Sequence, residues 1–137
     1  MINGITTSNP VIECILSRTA AKYYDPDATL SDEQIYELVR IGTTAPTSFH
    51  MQNWRFIAVR TREAKARLSP IAWGQPPITE AAVTFIICGQ LADSSVIPER
   101  LAPLVKAGVM PATMVPEWET PARGLYMDQP QRQRDEA

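Results

Sequence analysis

Histidine occurs once in these 137 residues, at His50, and cysteine only twice, at Cys14 and Cys88. So small a stock of soft ligands excludes a disulfide framework, a four-ligand zinc site and a histidine-rich metal centre, so no metal is expected. Positive charge is short as well. Thirteen Lys plus Arg stand against 15 Asp plus Glu, for a net charge of -2, which removes the basic excess of a nucleic-acid binder. Long hydrophobic runs are missing: the longest, Ala81 to Gly89, contains Thr84 and has about half the length of a membrane span, so no membrane partner is expected. The stretch Met1 to Pro10 is polar, has no Lys or Arg ahead of an apolar segment, and does not read as a secretory signal. The expectation is a reducing, cytoplasmic compartment with both thiols free.

What is present suffices for one ordinary domain with a core of its own, since 45% of the residues are apolar. Asn9-Pro10 signals a helix start, followed by Ile12, Ile15 and Leu16 at helical spacing and ending near Ser17-Arg18-Thr19. Cys14 lies on this helix and reads as a small core residue. Ser31-Asp32-Glu33-Gln34 has the form of a capping box, with Ile35, Leu38 and Val39 as the buried stripe and Gly42 as the stop. Trp54 to Val59 reads as a strand, with Trp54 in the core, and a short helix over Glu63 to Leu68 follows. Pro76-Pro77 reads as a break. The run Ala82 to Cys88 has the pattern of a strand buried on both faces. Five prolines between Pro98 and Pro121 argue against long helices there, so residues 92–127 are expected to be extended and mostly irregular. Helices before and between strands point to an α+β layered domain.

Three segments carry groups suited to ligand chemistry. Arg18-Thr19-Ala20-Ala21-Lys22 sets two cations around a hydroxyl, a grouping that satisfies a dianionic phosphate; the plainer reading is a basic last turn complementing a helix dipole. In Ala45 to Trp54, the residues Thr47, Ser48, His50, Gln52 and Asn53 place hydroxyl, imidazole and amide groups on a loop opening a strand, suited to the edge of a planar heterocycle. The alternative is a turn whose Thr and Ser cap local backbone groups. Ser48 and His50 are not expected to act as nucleophile and base, and no catalytic residue is assigned. Trp73-Gly74-Gln75, ahead of Pro76-Pro77, could let backbone and an amide approach a ligand closely.

In this order the three segments resemble the nitroreductase family of flavin-dependent oxidoreductases, from about Val11 to Gln90. Arg18-Thr19-Ala20-Ala21-Lys22 is similar to the family's Arg-x-Ser-x-Lys phosphate motif. Leu30-Ser31 matches its Leu-Ser helix start, and Ala45-Pro46-Thr47-Ser48-Phe49-His50-Met51-Gln52-Asn53-Trp54-Arg55-Phe56 matches its Ala-Pro-Ser-Ser-x-Asn-x-Gln-Pro-Trp-x-Phe. Ala20 stands where the family carries serine, His50 where it carries asparagine, and Asn53 where proline is common. The resemblance implies an α+β sandwich with a central mixed sheet flanked by helices, FMN as cofactor and NAD(P)H as electron donor. It further implies a small-molecule acceptor such as a nitroaromatic or quinone, reduced in a ping-pong exchange. Arg18, Thr19, Ala20 and Lys22 would form the phosphate end. Pro46, Thr47, Ser48, His50, Gln52 and Gln75 would meet the flavin, the loop reaching across a homodimer interface.

Family members continue well past residue 137, and Arg134 to Ala137 resembles the start of their long dimer helix. The expectation is therefore a nitroreductase-like part over residues 1–91 and, over 92–137, a proline-rich excursion opening a C-terminal part whose remainder is missing. The rival readings are a truncated, non-catalytic homologue that does not retain flavin, and an α/β binding module without redox chemistry.

Overall fold

The computed structural model describes residues 9–137, so the stretch Met1 to Pro10 lies outside it but for its last two residues. Helix α1 (Pro10–Ser17) starts as its capping chemistry dictates: Asn9 Oδ1 accepts the Val11 N–H at 2.9 Å and Pro10 takes the first helical position. Of its apolar stripe Ile12 is half-buried, while Ile15 and Leu16, with Val11 beside them, are 66%, 72% and 65% exposed. Cys14 is exposed too, which corrects its assignment to the core. Helical spacing creates an apolar face but does not supply the surface that covers it.

Helix α2 (Asp32–Gly42) carries a complete capping box, in which Ser31 Oγ accepts the Gln34 N–H at 3.2 Å and Gln34 Oε1 accepts the Ser31 N–H at 2.9 Å. Ile35 is buried and Val39 half-buried, but Leu38 is largely exposed rather than part of the buried stripe. Strand β1 (Trp54–Val59) pairs antiparallel with β2 (Thr84–Gly89), setting Trp54 opposite Gly89 and Val59 opposite Thr84. Phe56 meets Phe85 edge to face at 6.5 Å across the ladder. Helices α3 (Arg62–Leu68) and α4 (Pro76–Glu80) fill the connection. Pro76-Pro77 opens α4 instead of breaking the chain, because first-turn N–H groups have no intrahelical partner to lose.

The class is α+β. Among the described residues the sheet is this antiparallel pair, not the broader mixed sheet expected. One expectation about β2 is corrected with it. Ile87 is 69% exposed and Ile57 of β1 51%, so the strand is not covered on both faces. Trp54 is half-buried.

The second half differs most from expectation. Residues 92–127 are mainly helical, forming α5 (Ile97–Lys106) and α6 (Met114–Tyr126), before α7 (Pro130–Glu136). Pro98 and Pro116 sit in first turns, where a missing N–H costs nothing. Pro103 and Pro121 are interior and unfavourable by about 3 kcal/mol each relative to alanine. Burial outweighs them. Ile97, Leu101 and Ala122 are fully enclosed, and with Met51, Ala92, Met110 and Tyr126 they form the hydrophobic core. That core joins residues from both sides of position 91.

Leu101→Ala should therefore lower unfolding free energy by about 2–5 kcal/mol, as truncation in a fully buried site does, measured by urea denaturation. The same exchange at exposed Leu16 should change it by less than about 0.5 kcal/mol.

Candidate functional site

The loop between α2 and β1 is held in an unusual backbone shape. Phe49, His50 and Gln52 have φ of 48°, 56° and 50°, the left-handed region that side chains disfavour. Such residues cost on the order of 1–3 kcal/mol each and persist only where the surroundings over-determine them. Here four contacts do so. Met51, 1% exposed, is sunk into the core beside Ile97 and Leu101. Thr47 Oγ1 accepts the Gln52 N–H at 3.1 Å, closing the loop on itself. Phe49 lies edge to face with Tyr126 at 6.4 Å. Ser48 Oγ and the Tyr126 hydroxyl are hydrogen-bonded at 3.1 Å, and Tyr126 donates onward to Glu136 Oε2 at 3.0 Å.

The far side of the loop is tied down through Asn53, which stands where proline is common in the resembling family. Its Nδ2 donates to the Gln90 carbonyl at 3.0 Å and to the Glu136 carbonyl at 3.4 Å, while its own carbonyl accepts the Gln90 N–H at 2.7 Å. Proline could make none of the side-chain bonds. Gly89 comes so close to Ala137 that a Cβ there would overlap the Ala137 backbone. Between them lies a cleft of about 280 Å³, lined by Pro46, Thr47, Ser48, Trp54, Cys88 and Glu136 among others.

Thr47, Ser48, His50 and Gln52 thus share one loop, and their groups are partly committed. Gln52 Nε2 donates to His50 Nε2 at 2.8 Å, so that ring nitrogen acts as acceptor. The Thr47 hydroxyl serves the backbone, as the capping alternative held, but keeps its own proton to donate. Ser48 is bonded to Tyr126 and His50 to Gln52; the two do not bond each other. Arg18, Thr19, Ala20 and Lys22 lie exposed beyond α1, with no hydrogen bond to the loop among the described residues. Gln75 is exposed and precedes α4 without capping it; Trp73 and Gly74 beside it have φ of 56° and 66°. Among the described residues no hydrogen bond joins Arg18, Lys22 or Gln75 to the 47–52 loop within one chain.

Tyr126 and Glu136 were not singled out from sequence. Tyr126 lies in a segment whose prolines concealed a helix and Glu136 in a stretch expected to open one, and no local motif marks either. Burial pushes the Tyr126 hydroxyl above the ordinary tyrosine range; the Ser48 hydrogen bond opposes this and the Glu136 carboxylate adds to it. The neutral form is therefore favoured in the folded protein. Its stabilisation is fully present below the unfolded tyrosine value near 10 and is lost as pH rises through the raised folded value. Comparison of wild type with Tyr126→Phe by urea denaturation should show a gap that narrows above pH 10. At neutral pH the variant should lose about 0.5–1.5 kcal/mol, the worth of a typical hydrogen bond, since half-buried Ser48 and exposed Glu136 can turn to water.

Comparison with known proteins agrees with this geometry. The model of the Nitroreductase family matches residues 15–124. YodC of Bacillus subtilis (strain 168), assigned as an NAD(P)H nitroreductase, is 32% identical over 97 residues, which are 71% of this chain and 48% of YodC. Protein DrgA of Synechocystis sp. (strain ATCC 27184 / PCC 6803 / Kazusa) is 27% identical over 128 residues, 91% of this chain and 57% of its own. A protein from Exiguobacterium sibiricum 255-15, assigned as a nitroreductase and crystallised with FMN, superposes with a TM-score of 0.77 at 23% identity. The match covers 96% of this chain and 63% of that one, and it bears on the fold. The chain spans about half the length of such curated relatives. With its fold, its loop motif and most of its length matched, the chain belongs to the nitroreductase family.

Proposed function

We propose that this chain contributes to an FMN-dependent oxidoreductase that uses NAD(P)H to reduce a nitroaromatic, quinone or related acceptor. The observation that carries the reading is the Ala45 to Phe56 motif, present in sequence and held as a strained, four-fold pinned loop beside a cleft. FMN, held by these residues, would supply the redox chemistry of a ping-pong exchange between NAD(P)H and the acceptor. The protein's share is binding and orientation. Arg18 offers a planar fork of donors and Lys22 a movable cation, a pair suited to a phosphate dianion. Thr47 can donate its hydroxyl proton, while His50, Gln52 and Gln75 offer ring and amide groups for a heterocycle edge. Ala20 brings no hydroxyl, so the phosphate end has one donor fewer than the family motif.

The exposed cations and the pinned loop are served best by two copies, one providing Arg18 and Lys22 and the other Thr47 to Gln52. Exposed Val11, Ile15 and Leu16 support a homodimer, because such a face gains by being buried against a partner. A cytoplasmic setting goes with the reading, since Cys14 and Cys88 are free thiols. Among the described residues no helix is long and apolar enough to cross a membrane.

A second reading is supported by the commitment of Ser48 to Tyr126: a non-catalytic homologue that keeps the fold and does not retain flavin, so that titration shows no saturable binding. Fluorescence titration of the 137-residue chain with FMN decides between them. The expected outcome is weak binding and slow NAD(P)H turnover, with Arg18→Ala lowering affinity about tenfold to a hundredfold, the worth of one charge-assisted hydrogen bond. Light scattering should show a dimer at micromolar concentration. Equal FMN affinity in wild type and Arg18→Ala would refute the phosphate assignment, and a well-folded monomer would remove the two-copy site.

A further inference from the structure

The opposite end of the β-hairpin holds a second cleft with different chemistry. Strand β1 starts at Trp54 beside the 47–52 loop and ends at Val59, five residues and about 17 Å away. Beyond Val59, a cleft of about 490 Å³ opens between residues 26–30, the start of α3 and the turn after α4, within the size range of small-molecule sites. Its lining contains Arg60, Arg62, Lys65 and the hydroxyls of Thr29, Thr61 and Thr79, but no carboxylate, although acidic residues outnumber basic ones in the chain.

The three cations are not equivalent. Arg60 pairs with Asp32 and donates to the Leu30 carbonyl at 3.1 Å, which fixes one wall of the cleft. Lys65 is 8% exposed, and its ammonium donates to the Ala81 carbonyl. An ammonium has three donors, and among the described residues no carboxylate lies within ion-pairing distance of Lys65 or of Arg62. Lys65 thus keeps two ammonium donors, and Arg62 its guanidinium, for an anion that enters the cleft. The Thr61 hydroxyl accepts the Ala64 N–H at 3.2 Å and keeps its proton to donate, while Thr79 donates to the Pro76 carbonyl and keeps acceptor capacity.

We propose that this cleft binds a small organic phosphate, its phosphate group held between Lys65, Arg62 and the Thr61 hydroxyl, at the end of the strand pair away from the 47–52 loop. The volume exceeds that of the phosphate group alone and leaves room for the organic part against Leu30 and Pro26. The proposal does not rest on flavin binding. It places a second anion-binding function on a wall built by the Arg60 and Lys65 anchors.

The test is NMR titration of the full 137-residue chain with glycerol phosphate, and in parallel with inorganic phosphate. Amide shifts at Thr61, Arg62, Lys65 and Thr79 are expected to saturate with both probes, more tightly for the ester. Arg62→Gln, an exposed change that leaves the core intact, should weaken both at least tenfold. Lys65→Met should do so more strongly, with circular dichroism checking that it folds. Arg18→Ala, and saturating FMN, should leave these shifts unaltered. Absence of saturable shifts in this cleft, equal affinity in Arg62→Gln, or loss of binding on adding FMN would each overturn the proposal.

Discussion

Met51 is the point on which the two halves of the chain depend. Its side chain sits among Ile97, Leu101 and Tyr126, and its backbone lies between residues with left-handed φ. Methionine suits the place, since an unbranched, polarizable side chain fills an irregular gap between helices with little strain of its own. Burial of that one side chain fixes the loop that precedes β1 and so the position of the hairpin's open end. The Ser48, Tyr126 and Glu136 hydrogen bonds then set the loop's orientation, a task the non-directional apolar contact cannot perform. Loop, core and α7 consequently form one mechanical unit.

Legibility in the sequence followed the range of the interaction. Elements marked by local sequence were readable: the Asn9-Pro10 start of α1, the Ser31 to Gln34 capping box of α2, and the strand over Trp54–Val59. Burial was less so. Cys14 and Leu38 lie on apolar faces yet stand exposed, and periodicity is silent about neighbours. The prolines of α5 and α6 were the largest misreading. Their weight as helix breakers depends on position within the turn and on what the helix buries, and both are settled by tertiary structure. For the site, the motif located the loop residues, whereas Tyr126 arrives from 78 residues away and leaves no local trace.

The hairpin separates two chemistries along its length. At its open end, hydroxyl, amide and imidazole groups are bound to one another, so a ligand there must compete with or extend an existing network. At the other end, the cations are anchored to backbone carbonyls and retain unused donors. The first arrangement favours recognition by shape and a few directed bonds, the second by charge. A chain with net charge of -2 can still concentrate positive potential locally, because field depends on arrangement and not on the sum.

The two-strand sheet has one outcome for how the chain behaves among others of its kind. With β1 paired on one side by β2, and β2 by β1, each strand retains an outer rim of backbone donors and acceptors without ladder partners among the described residues. Beside those rims stand Ile57 and Ile87, apolar and more than half exposed. A rim of this kind is a template for strand addition, and the nearby isoleucines reward whatever docks there. The hairpin is thus built to accept further strands, and an incoming segment rich in β-branched residues would extend it whether it came from the correct neighbour or from an aggregating one.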